Sequence, residues 1–256
     1  MSDAFDYWQV ESVQRQIVRK QRREFFPRAA LAHGQPIEFH IEASPHLYLD
    51  LATSRIWLKL QIFSPTTNAK IVALDHVGCV NLVAQALFGD ISVELNNRVV
   101  NETTNGLYAF RAYIETLLSC SKEYKQYFLP VEGWEADTIG KFEVTDVDAA
   151  NAADRNTGLN NRMGWFAEGK QVEFTIRPPV DIFQQHLNLP SNVSLTLRLY
   201  PSRDSFLLKC PVNSIANGTP PNPAFQLRIT EAVLLIETRE VAPPFELAHI
   251  QKLHRR

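Results

Sequence analysis

The feature that most constrains this chain is an alternation of apolar and polar residues, period two, that keeps returning along its length. In IEFHI, Ile37, Phe39 and Ile41 alternate with Glu38 and His40. Leu47, Leu49 and Leu51 repeat the pattern, and in SRIWLKLQIF the residues Ile56, Leu58, Leu60 and Ile62 oppose Trp57, Lys59, Gln61 and Phe63. QVEFTI (171–176), SNVSLTLRLY (191–200) and FQLRITEAVLLIETREV (225–241) do the same, the last as one extended strand with a bend. Side chains on a strand point alternately to its two faces, so each run has one greasy side and one wet side. Pro- and Asn-rich turns separate the runs, which number about eight at ordinary strand length. Such strands bury their apolar faces by pairing two antiparallel sheets, and eight strands in two sheets make a jelly roll most economically. There is no βαβ rhythm, so a parallel α/β architecture is disfavoured.

One stretch changes period. In residues 91–118, Ile91, Val93 and Leu95 alternate, Asn96-Asn97 turns the chain, and Arg98-Val99-Val100 runs back as a second hairpin arm. After Asn105-Gly106 the spacing becomes helical, with Leu107, Phe110, Ile114, Leu117 and Leu118 on one face and Tyr113 beside them. Hairpin and helix are expected to close over a common core, with Ile91, Val93, Leu95, Phe110, Ile114 and Leu117 as packing residues. Glu115 stands four residues after Arg111, the spacing for an ion pair on a helix. A second, short helix is expected between 75 and 89 from Val80, Val83, Ala84 and Leu87.

The remainder divides into three stretches. Residues 1–33 read as an N-terminal arm, 34–244 as a single jelly-roll domain, and 245–256 as a short helical tail. The arm holds the one sharp charge run, QRQIVRKQRR, with Arg15, Arg19, Lys20, Arg22 and Arg23 and no acidic residue. It reads as a solvated helix face or mobile arm, or as an arm that neutralises phosphates or a partner's acidic surface. Residues 132–170, rich in Asn, Asp and Ala, read as a long surface excursion of the kind that carries partner contacts.

Reaction chemistry is not written in the sequence. The phosphate-binding, dinucleotide-binding, zinc-protease and serine-hydrolase motifs are absent, and the seven histidines include no H-x-H pair of the sort that holds a metal on a jelly-roll strand. His40 and His46, six residues apart across a proline, read as strand-edge or turn residues. Asp50, Asp75 and Asp90 stand at strand ends, where turns and caps use them. Cys79, Cys120 and Cys210 share no short spacing and read as reduced, buried thiols. No enzyme, metal or cofactor is expected. Trp134 and Trp165, with nearby tyrosines, give an alternative: a lectin-like module that stacks on sugar. The net charge of −2 exerts no global pull on nucleic acid, and no run approaches the roughly 20 apolar residues of a membrane helix. The first residues lack a signal-peptide layout, so synthesis inside the cell is expected.

The run DHVGCVNLVAQALFGDISVELNNRVVNETTNGLYAFRAYIETLL resembles the middle of the first jelly roll of the major capsid proteins of Polinton/Maverick elements and adintovirus-like DNA viruses. Val80-Asn81, Leu87-Phe88, Val93, Asn96, Val99-Val100, Asn105, Tyr108 and Arg111 to Leu118 carry the likeness. GQPIEFHI, YLDLATSRIWLKLQI, RLYPSRDSFLL and EAVLLIETREVAPPFELAHIQKL are similar to flanking phrases of that family, in the same order. Members continue into a second jelly roll, and this chain corresponds to the first. The resemblance implies a non-enzymatic capsid subunit that self-assembles into a virion shell, forms a trimeric capsomer, partners other capsid subunits, and is made in the host cell interior.

Overall fold

The computed structural model describes residues 16–64, 69–72, 76–145, 154–210 and 225–254. Arg15, Asp75 and the Pro/Asn-rich loop at 211–223 lie outside the described residues. In chain order the elements are β1 (Ile17–Phe25), β2 (Ile37–Ile41), β3 (Leu47–Ser64), β4 (Ala69–Lys70), β5 (Gly78–Cys79), α1 (Val83–Ala86), β6 (Phe88–Leu95), β7 (Arg98–Glu102), α2 (Leu107–Ser119) and α3 (Lys122–Tyr127). They continue with α4 (Thr157–Phe166), β8 (Val172–Ile176), α5 (Asp181–Gln184), β9 (Leu195–Pro201), α6 (Asp204–Leu207), β10 (Leu208–Lys209), β11 (Gln226–Val241) and α7 (Pro243–His254).

Two antiparallel sheets face each other. One runs β1-β11-β3-β4 with β8 also paired to β3, the other runs β2-β9-β6-β7, and β10-β5 forms a small separate ladder. Most neighbours are remote in sequence, so the chain crosses repeatedly from sheet to sheet in the manner of a Greek key. Register lines the apolar residues up in rows. Phe39, Leu197 and Val93 sit side by side, as do Ile37, Leu199 and Ile91. Opposite them, Leu58 lies between Ala232 and Phe174, and Ile56 between Leu234 and Ile176. All of these are buried in one continuous core. The outer face of the second sheet is polar: Arg198 bonds Glu38 at 2.7 Å and also Glu94, and His40 bonds Thr196 at 2.9 Å.

The hairpin forms as its sequence predicts. Asn96 and Asn97 have φ of 47° and 61°, the left-handed pair that a tight two-residue turn demands and that asparagine tolerates. Several expectations need correction. The runs at 47–51 and 54–63 are one strand, β3, with a bulge: Asp50 faces Glu237 and Arg55 faces Leu235, so Ile236 alone opposes the residues between. Asp50 accepts the Ala52 N–H at 3.1 Å and the Ser54 hydroxyl donates to the Leu51 carbonyl at 2.6 Å, which closes the bulge from within. The helical turn α6 leads directly into β10. The short helix expected between 75 and 89 is one turn, α1.

The reading of residues 17–25 also changes. Residues 17–25, expected in the arm, are strand β1 on the edge of the larger sheet, paired to β11 from Ile17↔Val241 to Phe25↔Leu234. Residues 132–170 are not wholly a surface excursion, because Leu159, Arg162, Met163 and Phe166 of α4 are buried.

Candidate assembly surfaces

The expectation for α2 is overturned, and its surface is the most informative on the molecule. Phe110, Ile114 and Leu117, predicted to pack in the core with Ile91 and Val93, are 54%, 53% and 44% exposed, while Ile91 and Val93 are fully buried. The helix is seated instead by Tyr108, Ala109 and Ala112. Small side chains at 109 and 112 let the helix approach β6 and α1 closely, and the Tyr108 hydroxyl donates to Gln85 Oε1 at 2.6 Å. The helix start is fixed by Asn105 and Gly106, both left-handed, with the Gly106 N–H donating to Asp90 at 2.9 Å. Asp90 therefore has the turn duty expected of it. With the alanine side inward, the large apolar side of α2 has to point out.

Neighbouring segments extend that side into a belt. Phe110 contacts Phe206 with ring centroids 5.8 Å apart, and Tyr113 contacts Trp134 at 6.1 Å. Lys125 donates to the Leu117 carbonyl at 2.9 Å, which ties α3 to the end of α2. On α3 and beyond, Tyr124 stacks on Phe128 at 5.1 Å, and Tyr127, Phe128 and Val131 are exposed. Charges on α2 are paired: Arg111 bonds Glu115 at 2.7 Å, as its spacing predicts, and Asp181 at 2.8 Å.

Beneath the belt lies a buried polar anchor. Gln85, which accepts from Tyr108, donates its amide to Glu132 at 2.9 Å and to the Arg177 carbonyl at 3.0 Å. Burial pushes the Glu132 carboxyl above the ordinary carboxylate range, opposed by the Gln85 amide and by the charges of Arg55 and Arg177. Burial likewise drives the Tyr108 phenol well above its usual value.

The predicted contact residues Arg19, Lys20, Arg22 and Arg23 all fall on β1 and are exposed. Alternation divides them: Lys20 and Arg22 lie on one face, Arg19 and Arg23 on the other. Arg22 pairs in register with Glu237, but that carboxylate already accepts from Arg239 at 3.1 Å. These cations thus line a strand that ends its sheet among the described residues, and Lys and Arg on an edge also discourage unwanted strand addition.

Two interior features escaped sequence reasoning. Arg162 is 2% exposed and donates to the Cys79 carbonyl at 2.8 Å, the Glu135 carbonyl at 2.5 Å and Asp137 at 2.7 Å. It clamps α4 and the 135–138 strap to β5. Its signal was a lone arginine inside the apolar set Leu159, Met163 and Phe166. At the other end of the molecule Glu246 holds α7 down by accepting from the Ser191 hydroxyl, the His46 N–H and His46 Nδ1. These hydrogen bonds hold the Glu246 carboxyl below its ordinary range, the Ser191 bond most of all.

The lectin alternative loses its platform, since Trp134 is buried and Trp165 is half-buried against Phe174 at 6.0 Å. His40 and His46 serve separate partners, Thr196 and Glu246. Cys79 is buried, and burial pushes its thiol up to about 12. Among the described residues no group of three His, Cys, Asp or Glu side chains is placed to hold a metal ion, and no helix is long and apolar enough to cross a membrane.

No protein-family model and no curated protein matches the chain. Solved structures do. The chain resembles a structure of the Sputnik virophage determined by cryo-EM at a TM-score of 0.59 and 9% identity, covering 94% of this chain and 51% of that one. It resembles PBCV-1 VP54, fitted into a reconstruction of Sputnik, at 0.53 and 12%, covering 94% and 47%. The Faustovirus major capsid protein matches at 0.52 and 10%, covering 96% and 58%. The chain therefore spans about half the length of the structures it matches. At these identities the likeness shows the fold, an all-β antiparallel jelly roll with an inserted helix and long surface loops, as the strand spacing predicts.

Proposed function

We propose that this chain is a structural subunit of a viral-type capsid, one jelly roll corresponding to the first half of a double jelly-roll major capsid protein of the Polinton/Maverick and adintovirus-like kind. The observation that carries this reading is the exposed apolar belt of α2 and α3 on a fold whose solved neighbours include a major capsid protein. A contiguous apolar patch of this size is costly on a lone molecule and is the ordinary mark of an interface. The two sheets serve as rigid walls, the belt and the 132–170 region meet other subunits, and a trimeric capsomer within a virion shell is the assembled form. The protein works by packing and catalyses nothing. Electron microscopy of the concentrated chain, alone and beside a second jelly-roll partner, tests this. Shells, sheets or capsomer-sized rings support it, and dispersed single chains in both samples sink it.

We also propose that the basic edge of β1 contacts nucleic acid or an acidic partner surface. Replacing Arg19, Lys20, Arg22 and Arg23 with glutamine should weaken DNA binding and flatten its dependence on salt, by about 0.9 in logarithmic slope for each phosphate that is no longer neutralised. Binding that is equally salt-dependent in parent and variant removes this role.

A further inference from the structure

The outward residues of α2 are spaced in a way that specifies what covers them. Leu107, Phe110, Ile114 and Leu117 are separated by three, four and three positions, with Tyr113 and Leu118 on the flanks. That is the seam of a helix pair, repeated over two heptads, in which side chains of one helix fit between those of another. The only charges on α2, Arg111 and Glu115, are committed to each other and to Asp181, so the seam offers nothing to select an acidic or a basic partner. Its complement is a second helix with an equally apolar seam.

Described helices of this chain do not supply one from within. The apolar residues Leu159, Met163 and Phe166 of α4 are buried in its own body, α7 is fixed by Glu246, and α3 has six residues. A second copy of α2 carries a seam of the same spacing and the same apolar character. Its extent is adequate. Taking about 200 Å² for a large side chain, the exposed fractions on α2 leave roughly 600 Å², and Tyr124, Tyr127, Phe128 and Val131 raise the total to on the order of 1,000 Å². A stable interface takes about 800 Å² from each partner.

We propose that α2 packs against α2 of a second copy of this chain, seam to seam across a twofold axis, with the α3 aromatics closing over its ends. A seam that is its own complement suits a twofold contact, where the same patch is used on both sides. The proposal deepens the assembly reading above, from which it takes only that the partner is a copy.

Light scattering on the full chain tests it. The parent should show an even multiple of the 29.1 kDa chain mass, two chains where no capsomer forms and six where two trimeric capsomers are joined through α2, and a lone trimer that Ile114→Glu leaves intact overturns the pairing. Ile114→Glu should weaken association about tenfold or more, as a charge at the centre of an interface does. Its circular dichroism and thermal midpoint should match the parent's, because Ile114 is exposed. Ile114→Lys should behave alike, and an equal mixture of the two variants should recover association as acid meets amine across the axis. A parent that stays at the mass of one chain at its highest soluble concentration overturns the pairing. So does an Ile114→Glu chain that associates like the parent, in which case self-assembly stands and another surface carries it. A mixture that fails to recover rules out the copy-to-copy contact.

Discussion

Strand β6 and helix α2 are neighbours in sequence and both carry apolar residues at the period of their own secondary structure, yet the fold treats them oppositely. Ile91 and Val93 are fully buried, whereas Ile114 is 53% exposed and Leu118 81%. The difference lies in what each element has on its other side. The reverse face of β6 is polar, with Ser92 and Glu94 beside Arg198, so its apolar face has only one place to go. The reverse face of α2 holds Ala109 and Ala112 with Tyr108, and a face of small residues packs more closely on a sheet than one of phenylalanine and leucine. An apolar stripe states that cover is needed. It does not say whether the cover comes from the same molecule.

The contrast can be broken most directly by making one substitution in both places. Ile91→Ala removes buried atoms from between Leu199 and the opposed sheet and should cost about 2–5 kcal/mol in urea unfolding. Ile114→Ala, measured at concentrations where the chain is dissociated, should stay within about 0.5 kcal/mol of the parent. Equal costs at the two positions would mean that α2 packs by its large side after all.

The converse change sharpens it. Ala112 is 3% exposed at the seat of α2, so Ala112→Leu overfills that seat and should cost about 1–3 kcal/mol. A neutral Ala112→Leu, read from the same unfolding curves, would mean that the helix rides loosely on β6.

What the sequence disclosed follows from the same physics. The strands were legible where one face is buried, as at Ile37, Phe39 and Ile41, because burial forces the alternation that a reader sees. The turn at Asn96-Asn97 was legible because left-handed backbone restricts residue choice. Strand β1 was not. Its ladder partner β11 lies over 200 residues away, only Ile17 and Phe25 are half-buried, and Lys20, Arg22, Arg19 and Arg23 leave both faces polar. A strand held mainly by backbone hydrogen bonds at a sheet edge has no reason to alternate, so it read as an arm. The basic residues of the candidate site were visible as charge, but their arrangement along one strand was set by that distant pairing. The clamp of Arg162 was hidden for a related reason: its acceptors are mostly backbone carbonyls, those of Cys79 and Glu135, which carry no sequence signal.

The smallest expected effect concerns the anchor on the inner side of α2, where Tyr108, Gln85 and Glu132 form a chain of hydrogen bonds. Burial raises the Glu132 carboxyl, so in the folded chain it holds its proton to a higher pH than the value of about 4.3 it has when unfolded. Across that window the folded state binds more protons than the unfolded state, and stability must fall as pH rises. The carboxylates of Glu38 and Glu246 are held low by their partners and slope the other way, so the parent's own pH profile mixes both signs. Glu132→Gln keeps an acceptor for the Gln85 amide and removes the titrating charge. Relative to the parent, the variant should therefore gain stability as pH rises above the unfolded value of about 4.3, and run parallel to the parent once Glu132 of the folded chain has lost its proton. Unfolding curves for the two chains across that rise in pH isolate this one group, because the contributions of Glu38 and Glu246 cancel in the difference. A gap between the curves that stays constant with pH would mean that Glu132 is solvated like a surface carboxylate, and that α2 rests on its alanines without a buried polar anchor.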